Sequence, residues 1–134
     1  MKAMQPALIL VSYHVSICGG GGEHTCEASV KLSVRGRIIF VVSDGNGPVH
    51  ALDCAIRKAL QSLPALKKRL KTMRLQDYKT HGTDTNHKGT ASGTLVILTF
   101  AQNGTKWTTA SKSTNVIEAS LNALIQGYQK VLQS

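Results

Sequence analysis

The chain has 134 residues, of which 42% are hydrophobic and 17% are charged, so it has the size of one domain and enough apolar residues to bury a core. Sixteen Lys and Arg against seven Asp and Glu give a formal net charge of +9, an excess that is also typical of nucleic-acid-binding proteins. Aromatic residues make up only 4%, which argues against platforms that stack single-stranded bases.

The cysteines and the apolar runs indicate the compartment. Three cysteines, an odd number without a Cys-x-x-Cys pair, favour a reduced environment over a disulfide framework. The longest apolar run, 7–11, is too short to cross a bilayer, and no cleavage site follows a proper apolar stretch at the start of the chain. We therefore expect a cytoplasmic protein that does not interact with membranes.

The first half of the chain predicts three strands and a helix. Apolar residues alternate over 7–17, and two further runs over 26–34 and 37–43 have the same character. The residues predicted to share one face of the first strand are Ile9, Val11, Tyr13, Val15 and Ile17. Pro48 suits the first turn of a helix, where its missing N–H is no loss. Apolar residues follow at helical spacing: Val49, Leu52, Ile56 and Leu60.

The second half repeats this order. Three strands are predicted, over 75–81, 94–100 and 106–111. Asn103-Gly104 is a strong hairpin signal between the last two. Asn115 followed by Glu118 has the form of a capping box at the start of a final helix. The apolar stripe of that helix is Ile117, Leu121, Leu124, Tyr128 and Val131.

A single constant offset in numbering aligns the two halves element by element. It pairs Gly36 with Gly104, Val49 with Ile117, Ala51 with Ala119, Ala55 with Ala123 and Ile56 with Leu124. We predict an α+β fold of two pseudo-symmetric β-β-β-α units, packed as layers of antiparallel sheet and helices. The single domain, 1–134, would comprise repeat unit 7–63, a basic linker 64–71 and repeat unit 72–133.

Both helix starts are candidate anion sites, because backbone N–H groups and the helix dipole point at whatever lies there. Gly45-Asn46-Gly47-Pro48 precedes the first helix and Ser113-Thr114-Asn115 the second. A pseudo-twofold axis would bring the two starts to one carboxylate-binding pocket. Two ordinary capped helices are the alternative interpretation.

Catalytic and metal-binding patterns are not recognisable in the sequence. The five histidines lack ligand spacing, the carboxylates form no recognisable pair, and no Ser, Cys or His is placed as an activated nucleophile. We expect no catalytic residue, no metal and no cofactor in this chain. The basic run is Lys67, Lys68, Arg69, Lys71 and Arg74. It is either a solvated linker face or a phosphate-binding patch, and double-stranded RNA-binding modules also place three strands beside a helix.

Three segments together resemble one family: 44–60 (DGNGPVHALDCAIRKAL), Asp77-Tyr78 and 107–124 (WTTASKSTNVIEASLNAL). They are similar to the C-terminal allosteric, dimer-forming domain of 2-isopropylmalate synthase and its relative citramalate synthase, in the right order over nearly the whole chain. The resemblance implies two β-β-β-α units without catalytic residues. It also implies attachment to a separate barrel that condenses acetyl-CoA with a 2-oxo acid at a divalent metal.

The same resemblance implies an effector site near a homodimer interface, for leucine in isopropylmalate enzymes and isoleucine in citramalate enzymes. The flanks 63–79 and 91–100 look closer to the citramalate branch, so isoleucine is favoured. The matching site residues are Gly45, Asn46, Gly47, Pro48 and His50 in the first helix-entry loop, Leu75, Tyr78, Gly82, Ala91 and Gly93 around the side-chain pocket, and Ser113, Thr114 and Asn115 before the second helix. The polar loop 82–93 is expected to order on binding.

Two alternatives stay open from the sequence. A basic nucleic-acid-binding module would explain the charge, and its affinity would fall steeply with salt. A structural dimerisation domain without an effector would explain the duplication alone.

Overall fold

The structure is a computed structural model that describes residues 7–18, 25–82 and 93–133. Its elements are β1 Leu8–Cys18, β2 Thr25–Val34, β3 Arg37–Gly45, α1 Pro48–Gln61, α2 Pro64–Leu70, β4 Met73–Gly82, β5 Thr94–Gln102, β6 Thr105–Ser113 and α3 Val116–Gln133. Strands β1-β2-β3 form one antiparallel sheet, here called sheet A, and β4-β5-β6 form a second, sheet B. The predicted α+β fold with two β-β-β-α units is confirmed.

The tight turns of the two sheets have the same backbone conformation. Arg35 and Gly36, between β2 and β3, have φ angles of +51° and +84°. Asn103 and Gly104, between β5 and β6, have +51° and +83°. Positive φ at both central residues is typical of type I′ hairpins, whose twist suits the flanking strands. The two turns correspond at the offset that pairs Gly36 with Gly104, in agreement with the predicted duplication.

Each sheet has a bulge in its first strand. The pairing register skips Val11 in β1 and Gln76 in β4, so these two residues are counterparts. Residues of β1 and β4 that lie equally far from the bulge are therefore also counterparts. Tyr13 of β1, which pairs with Val30, is therefore the counterpart of Tyr78 of β4, which pairs with Leu98.

The bulge in β1 shows that the residues predicted to share one face of that strand do not all do so. Leu8 is buried, whereas Ile9 and Val11 are 42% and 51% exposed. Tyr13 and Val15, predicted to lie on the same face as these two, pack against the core. Simple alternation was wrong for the first two residues because the extra residue of a bulge reverses which side chains face the core. The side chain of Ile17 lies outside the described part of the chain.

Helices α1 and α3 join the two units into one core. Helix α1 packs on β2 and β3, α3 packs on β5 and β6, and the two helices contact each other. Buried apolar residues from both units form a single cluster. Gln129 of α3 also binds both backbone groups of Leu8 in β1, with N–H···Oε1 and Nε2···O distances of 3.2 and 2.7 Å. Among the described helices, none is both long and apolar enough to span a membrane.

The segment that we interpreted as a basic linker contains helix α2. Pro64 occupies its first turn, and Leu66 and Leu70, one turn apart, are fully buried. Residues 67–69, all basic, are exposed. The basic run is therefore in part the polar face of a short amphipathic helix. So short a helix carries fewer than two turns of periodicity, so the sequence pattern did not reveal it.

The packing around Gly127 gives a test of the core. Gly127 of α3 lies against the ring of Phe100, which stacks on Trp107 with ring centroids 5.7 Å apart. A Cβ at Gly127 would overlap that ring. We predict that Gly127→Ala lowers the free energy of unfolding by about 1–3 kcal/mol, because overpacking outweighs the helix preference of Ala.

Urea denaturation measures this change. Gln126→Ala, at the exposed neighbouring position, is the control and should change the free energy of unfolding by less than about 0.5 kcal/mol. An unchanged or increased stability of Gly127→Ala would contradict the observed packing.

Candidate effector site

Helix α1, which follows the loop after β3, begins with backbone N–H groups that no side chain caps. A Cβ at Gly45 would overlap the backbone of Ala51, so the close approach of strand and helix requires glycine there. Gly47 is the N-cap residue and Pro48, which has no N–H, is at the first helical position; no side chain caps this helix. The N–H groups of Val49 and His50 are thus left without a side-chain acceptor. An acceptor such as a carboxylate fits such a helix start.

His50 holds the loop in place. Its Nδ1 accepts a hydrogen bond from the backbone N–H of Asn46, with an N···N distance of 3.0 Å. A neutral imidazole in this arrangement carries its proton on Nε2. The loop is thereby fixed by a side chain that is itself exposed at the helix start.

The start of α3 is closed by its own side chains. Asn115 Oδ1 accepts hydrogen bonds from the N–H groups of Ile117 and Glu118 at 2.9 and 3.3 Å. The Asn115 N–H in turn donates to Ser113 Oγ at 3.1 Å. The predicted cap by Asn115 is confirmed, while Ser113 takes the place that Glu118 would have in a full capping box. Asn115 is the counterpart of Gly47 in the first unit, so the duplicated helix starts differ in whether a cap is present.

A cavity of about 350 Å³ lies beside the open start of α1. It is lined by Gly47, Pro48, Val49, His50 and Asp53 from α1 and its entry, and by Leu75 and Tyr78 from β4. The cavity therefore lies between the helix of the first unit and the first strand of the second. Its volume is within the range of small-molecule sites, and most of its lining side chains are apolar or aromatic.

The structure brings together part of the predicted site. The predicted residues that line this cavity are Gly47, Pro48, His50, Leu75 and Tyr78. The remaining described ones lie outside its lining: Gly45, Asn46, Gly82, Gly93, Ser113, Thr114 and Asn115. Ala91 and most of the 82–93 loop lie outside the described residues.

Tyr78 connects the cavity to the second helix start. Its phenol oxygen is 2.6 Å from Ser120 Oγ, and that hydroxyl also donates to the carbonyl of Val116 at 2.7 Å. Val116 and Ser120 lie in the first two turns of α3. The second helix start thus approaches the cavity through Tyr78, and the residues of its loop are not part of the wall.

Asp53 is a lining residue that the sequence analysis missed. The Tyr128 hydroxyl donates a hydrogen bond to Asp53 Oδ1. Burial raises the pKa of the Asp53 carboxyl, although this hydrogen bond and the nearby charge of Arg57 act in the opposite direction. Burial, and then the charge of Asp53, raise the pKa of Tyr128 well above its usual range. Asp53 lies four residues after Val49, so both are on one face of α1. This spacing was the signal in the sequence that could have placed Asp53 at the cavity.

Arg57 ties the walls of the cavity together. Its guanidinium donates to the Tyr128 hydroxyl at 3.3 Å and to the carbonyls of Leu70 and Met73 at 2.6 and 2.8 Å. Met73 begins β4, the strand that carries the cavity residues Leu75 and Tyr78. Arg57, a side chain of α1, is therefore hydrogen-bonded to the first residue of β4, the strand on the opposite side of the cavity.

A larger cleft of about 570 Å³ lies elsewhere, along the basic run and the β5–β6 turn. Its charged lining residues are Lys71, Arg74 and Lys106, all exposed. It contains none of the predicted site residues. In the described ranges, no three His, Cys, Asp or Glu side chains come together as a group that could hold a metal ion.

Comparison with known proteins points to one family. The family model of the LeuA allosteric (dimerisation) domain matches residues 2–132. The chain is 37% identical over 103 residues to the (R)-citramalate synthase of Geobacter sulfurreducens, a match that covers 77% of this chain and 19% of that protein. It is 40% identical over 108 residues to that of Streptomyces coelicolor (80% and 19%) and 42% identical over 100 residues to that of Aquifex aeolicus (75% and 18%). The chain thus spans about a fifth of the length of these relatives.

The raised pKa of Asp53 predicts a pH dependence of stability. The folded chain holds the Asp53 proton more tightly than the unfolded chain, so the stability contributed by this group falls as pH rises from its usual pKa of 3.8 through the raised folded-state pKa. Asp53→Asn cannot ionise and keeps an acceptor for the Tyr128 hydroxyl. We predict that the unfolding free energy of the wild type, minus that of Asp53→Asn, decreases over this interval and is constant above it.

Urea denaturation of both proteins between about pH 3.5 and pH 8 measures the difference. Other carboxyl groups are common to both proteins and cancel. A difference that increases with pH in this interval would show that the folded-state pKa of Asp53 is lowered, contrary to the burial of the carboxyl.

Proposed function

Because the chain belongs to the LeuA allosteric (dimerisation) domain family, we propose that it binds a branched-chain amino acid and thereby controls an attached, acetyl-CoA-dependent citramalate or 2-isopropylmalate synthase by feedback inhibition. Isoleucine is the favoured effector and leucine the next. The observation that carries the proposal is the cavity at the uncapped start of α1, where backbone donors and apolar walls meet.

The chemistry of the cavity suits a free amino acid. The effector carboxylate would bind the N–H groups of Val49 and His50, which have no side-chain acceptor. Leu75 and Tyr78 offer an apolar surface to a branched side chain. Asp53 supplies a carboxyl group at the same cavity, and the ionised form of this group would pair with an effector ammonium group. Each part of the ligand thus has a partner of matching chemistry.

The preference for isoleucine rests on the relatives. Those described above are named (R)-citramalate synthase, and the resemblance implies isoleucine as the inhibitor of citramalate enzymes. A hydrophobic pocket discriminates only about 10- to 200-fold between side chains that differ by one methylene group. Isoleucine and leucine are isomers, so we expect no larger discrimination between them. The preference is therefore tested by measuring the affinity for each.

The location of the cavity suggests how the signal is passed on. An effector changes activity only if it binds one state of the protein better than another. One wall of the cavity belongs to α1 and the other to β4, so bound ligand would stabilise one arrangement of the two units. We propose a cytoplasmic homodimer, joined to the catalytic barrel of the synthase and without a cofactor of its own in this domain.

Isothermal titration calorimetry with isoleucine, leucine and valine tests the proposed ligand. We expect heat of binding with affinity in the order isoleucine, leucine, valine. We also expect stabilisation of about 2.7 kcal/mol at a ligand concentration about 100 times the dissociation constant. No heat and no thermal stabilisation with any of the three would reject effector binding and favour a structural dimerisation domain.

Tyr78→Ala is predicted to weaken isoleucine binding at least tenfold, because it removes a wall of the cavity. Tyr13→Ala is the matched control, since Tyr13 is the counterpart of Tyr78 in β1 and does not line the cavity. Its affinity for isoleucine should equal that of the wild type. Equal affinity of Tyr78→Ala and the wild type would remove Tyr78 from the site.

A further inference from the structure

The outer face of sheet A, which points away from α1, is unusually apolar. Of the seven large apolar side chains exposed in the described part of the chain, five lie on this face: Ile9, Val11, Ile38, Phe40 and Val42. The three from β3 are 58%, 62% and 46% exposed. Single exposed apolar side chains are ordinary, but a contiguous group indicates an interaction surface.

The strand register joins these side chains into one patch. Ile9 of β1 and Ile38 of β3 both pair with Ser33 of β2, so they lie in one row across the sheet. Phe40 of β3 pairs with Lys31 of β2, and the bulge residue Val11 of β1 is next to the residue that pairs with Lys31 from the other side. The patch therefore occupies both edge strands, on either side of the polar outward residues of β2.

The duplicated sheet shows that the fold does not require this apolar surface. The offset that pairs Gly36 with Gly104 also pairs the three β3 residues of the patch with the exposed Lys106, Thr108 and Ala110 of sheet B. The bulges pair Ile9 and Val11 with Arg74 and Gln76, which are also exposed. Among the described residues, the large apolar side chains on the outer face of sheet B are Leu95 and Ile97 of its central strand, and both are half-buried. The exposed apolar edge strands are thus a property of sheet A.

We propose that the outer face of sheet A is the surface through which two copies of this chain associate. This inference rests on the homodimer of the proposed function and assigns its surface. A three-stranded face as long as β3 measures roughly 14 by 30 Å, about 420 Å² before side-chain relief is counted, and a stable interface uses about 800 Å² of accessible surface per partner. The face is therefore large enough to form the centre of such an interface.

A second copy also suits the charges on this face. A symmetric dimer uses the same patch twice, so the patch must be complementary to itself. Glu27 and Lys31 lie on the outer face of β2, on either side of Ser29 and equally far from it. A twofold axis that lies between the two faces and crosses β2 at right angles near Ser29 would place the Lys31 of one copy over the Glu27 of the other, with the apolar edge strands buried beside them.

Sedimentation equilibrium of the full chain tests the proposal with two matched pairs of variants. Phe40→Lys and Val42→Lys place a charge in the patch, while Thr108→Lys and Ala110→Lys place the same charge at the counterpart positions of sheet B. We expect a dimer for the wild type, a dimer dissociation constant at least tenfold higher for the two sheet A variants, and a change of less than twofold for the sheet B variants. Circular dichroism confirms that each variant is folded.

Three outcomes would overturn the proposal. If the wild type is a dimer and the sheet A variants dissociate no more readily, the dimer uses another surface and the proposed effector function is unaffected. If both pairs dissociate equally, added charge in general is responsible. If the wild type is a monomer at all concentrations, a second copy is not the occupant of this face. Effector binding is measured separately by calorimetry, so its failure is distinguishable from all three.

Discussion

The hydrogen-bonded cluster of Asp53, Arg57 and Tyr128 connects the two halves of the molecule. Two of its members come from α1 and the third from α3, and Arg57 also binds the carbonyls of Leu70 and Met73 at the beginning of β4. The candidate effector cavity lies between α1 and β4, so its shape depends on these bonds. The carboxyl group is buried, and it accepts a hydrogen bond from the Tyr128 hydroxyl, which in turn accepts one from the Arg57 guanidinium. Loss of any member would leave a buried polar group without its partner, which is costly.

The two helix starts occupy corresponding positions in the two units, but their side chains make them different. Asn115 caps α3, whereas its counterpart Gly47 leaves α1 open. The counterpart of Asp53 in α3 is Leu121, a buried core residue. A polar group beside an open helix start thus occurs in one copy and an ordinary packed helix in the other. The sheets differ in a similar way, since Phe40 in sheet A corresponds to Thr108 in sheet B. The two copies therefore differ in the polarity of their helix starts and of their sheet faces.

Much of this fold was predictable from sequence because its signals are local. The hairpin dipeptide Asn103-Gly104, the Asn115 cap and the helical apolar stripes depend on residues a few positions apart. The bulges at Val11 and Gln76 were not predictable, since one unpaired residue leaves a plausible alternation on either side of it. The role of Asp53 was missed because its partner Tyr128 is distant in the chain and only the fold brings the two together. The resemblance directed attention to the loop before α1, and the structure shows which of its residues line a cavity.

In the proposed function, the effector carboxylate binds the backbone N–H groups of Val49 and His50 at the uncapped start of α1. The most direct measurement is an NMR titration of the ¹⁵N-labelled chain with isoleucine, followed at assigned backbone amides. We predict that the amide signals of Val49 and His50 shift strongly, while those of Ile117 and Glu118, whose N–H groups already donate to Asn115, shift little. Saturating isoleucine that leaves the signals of Val49 and His50 unchanged would contradict it.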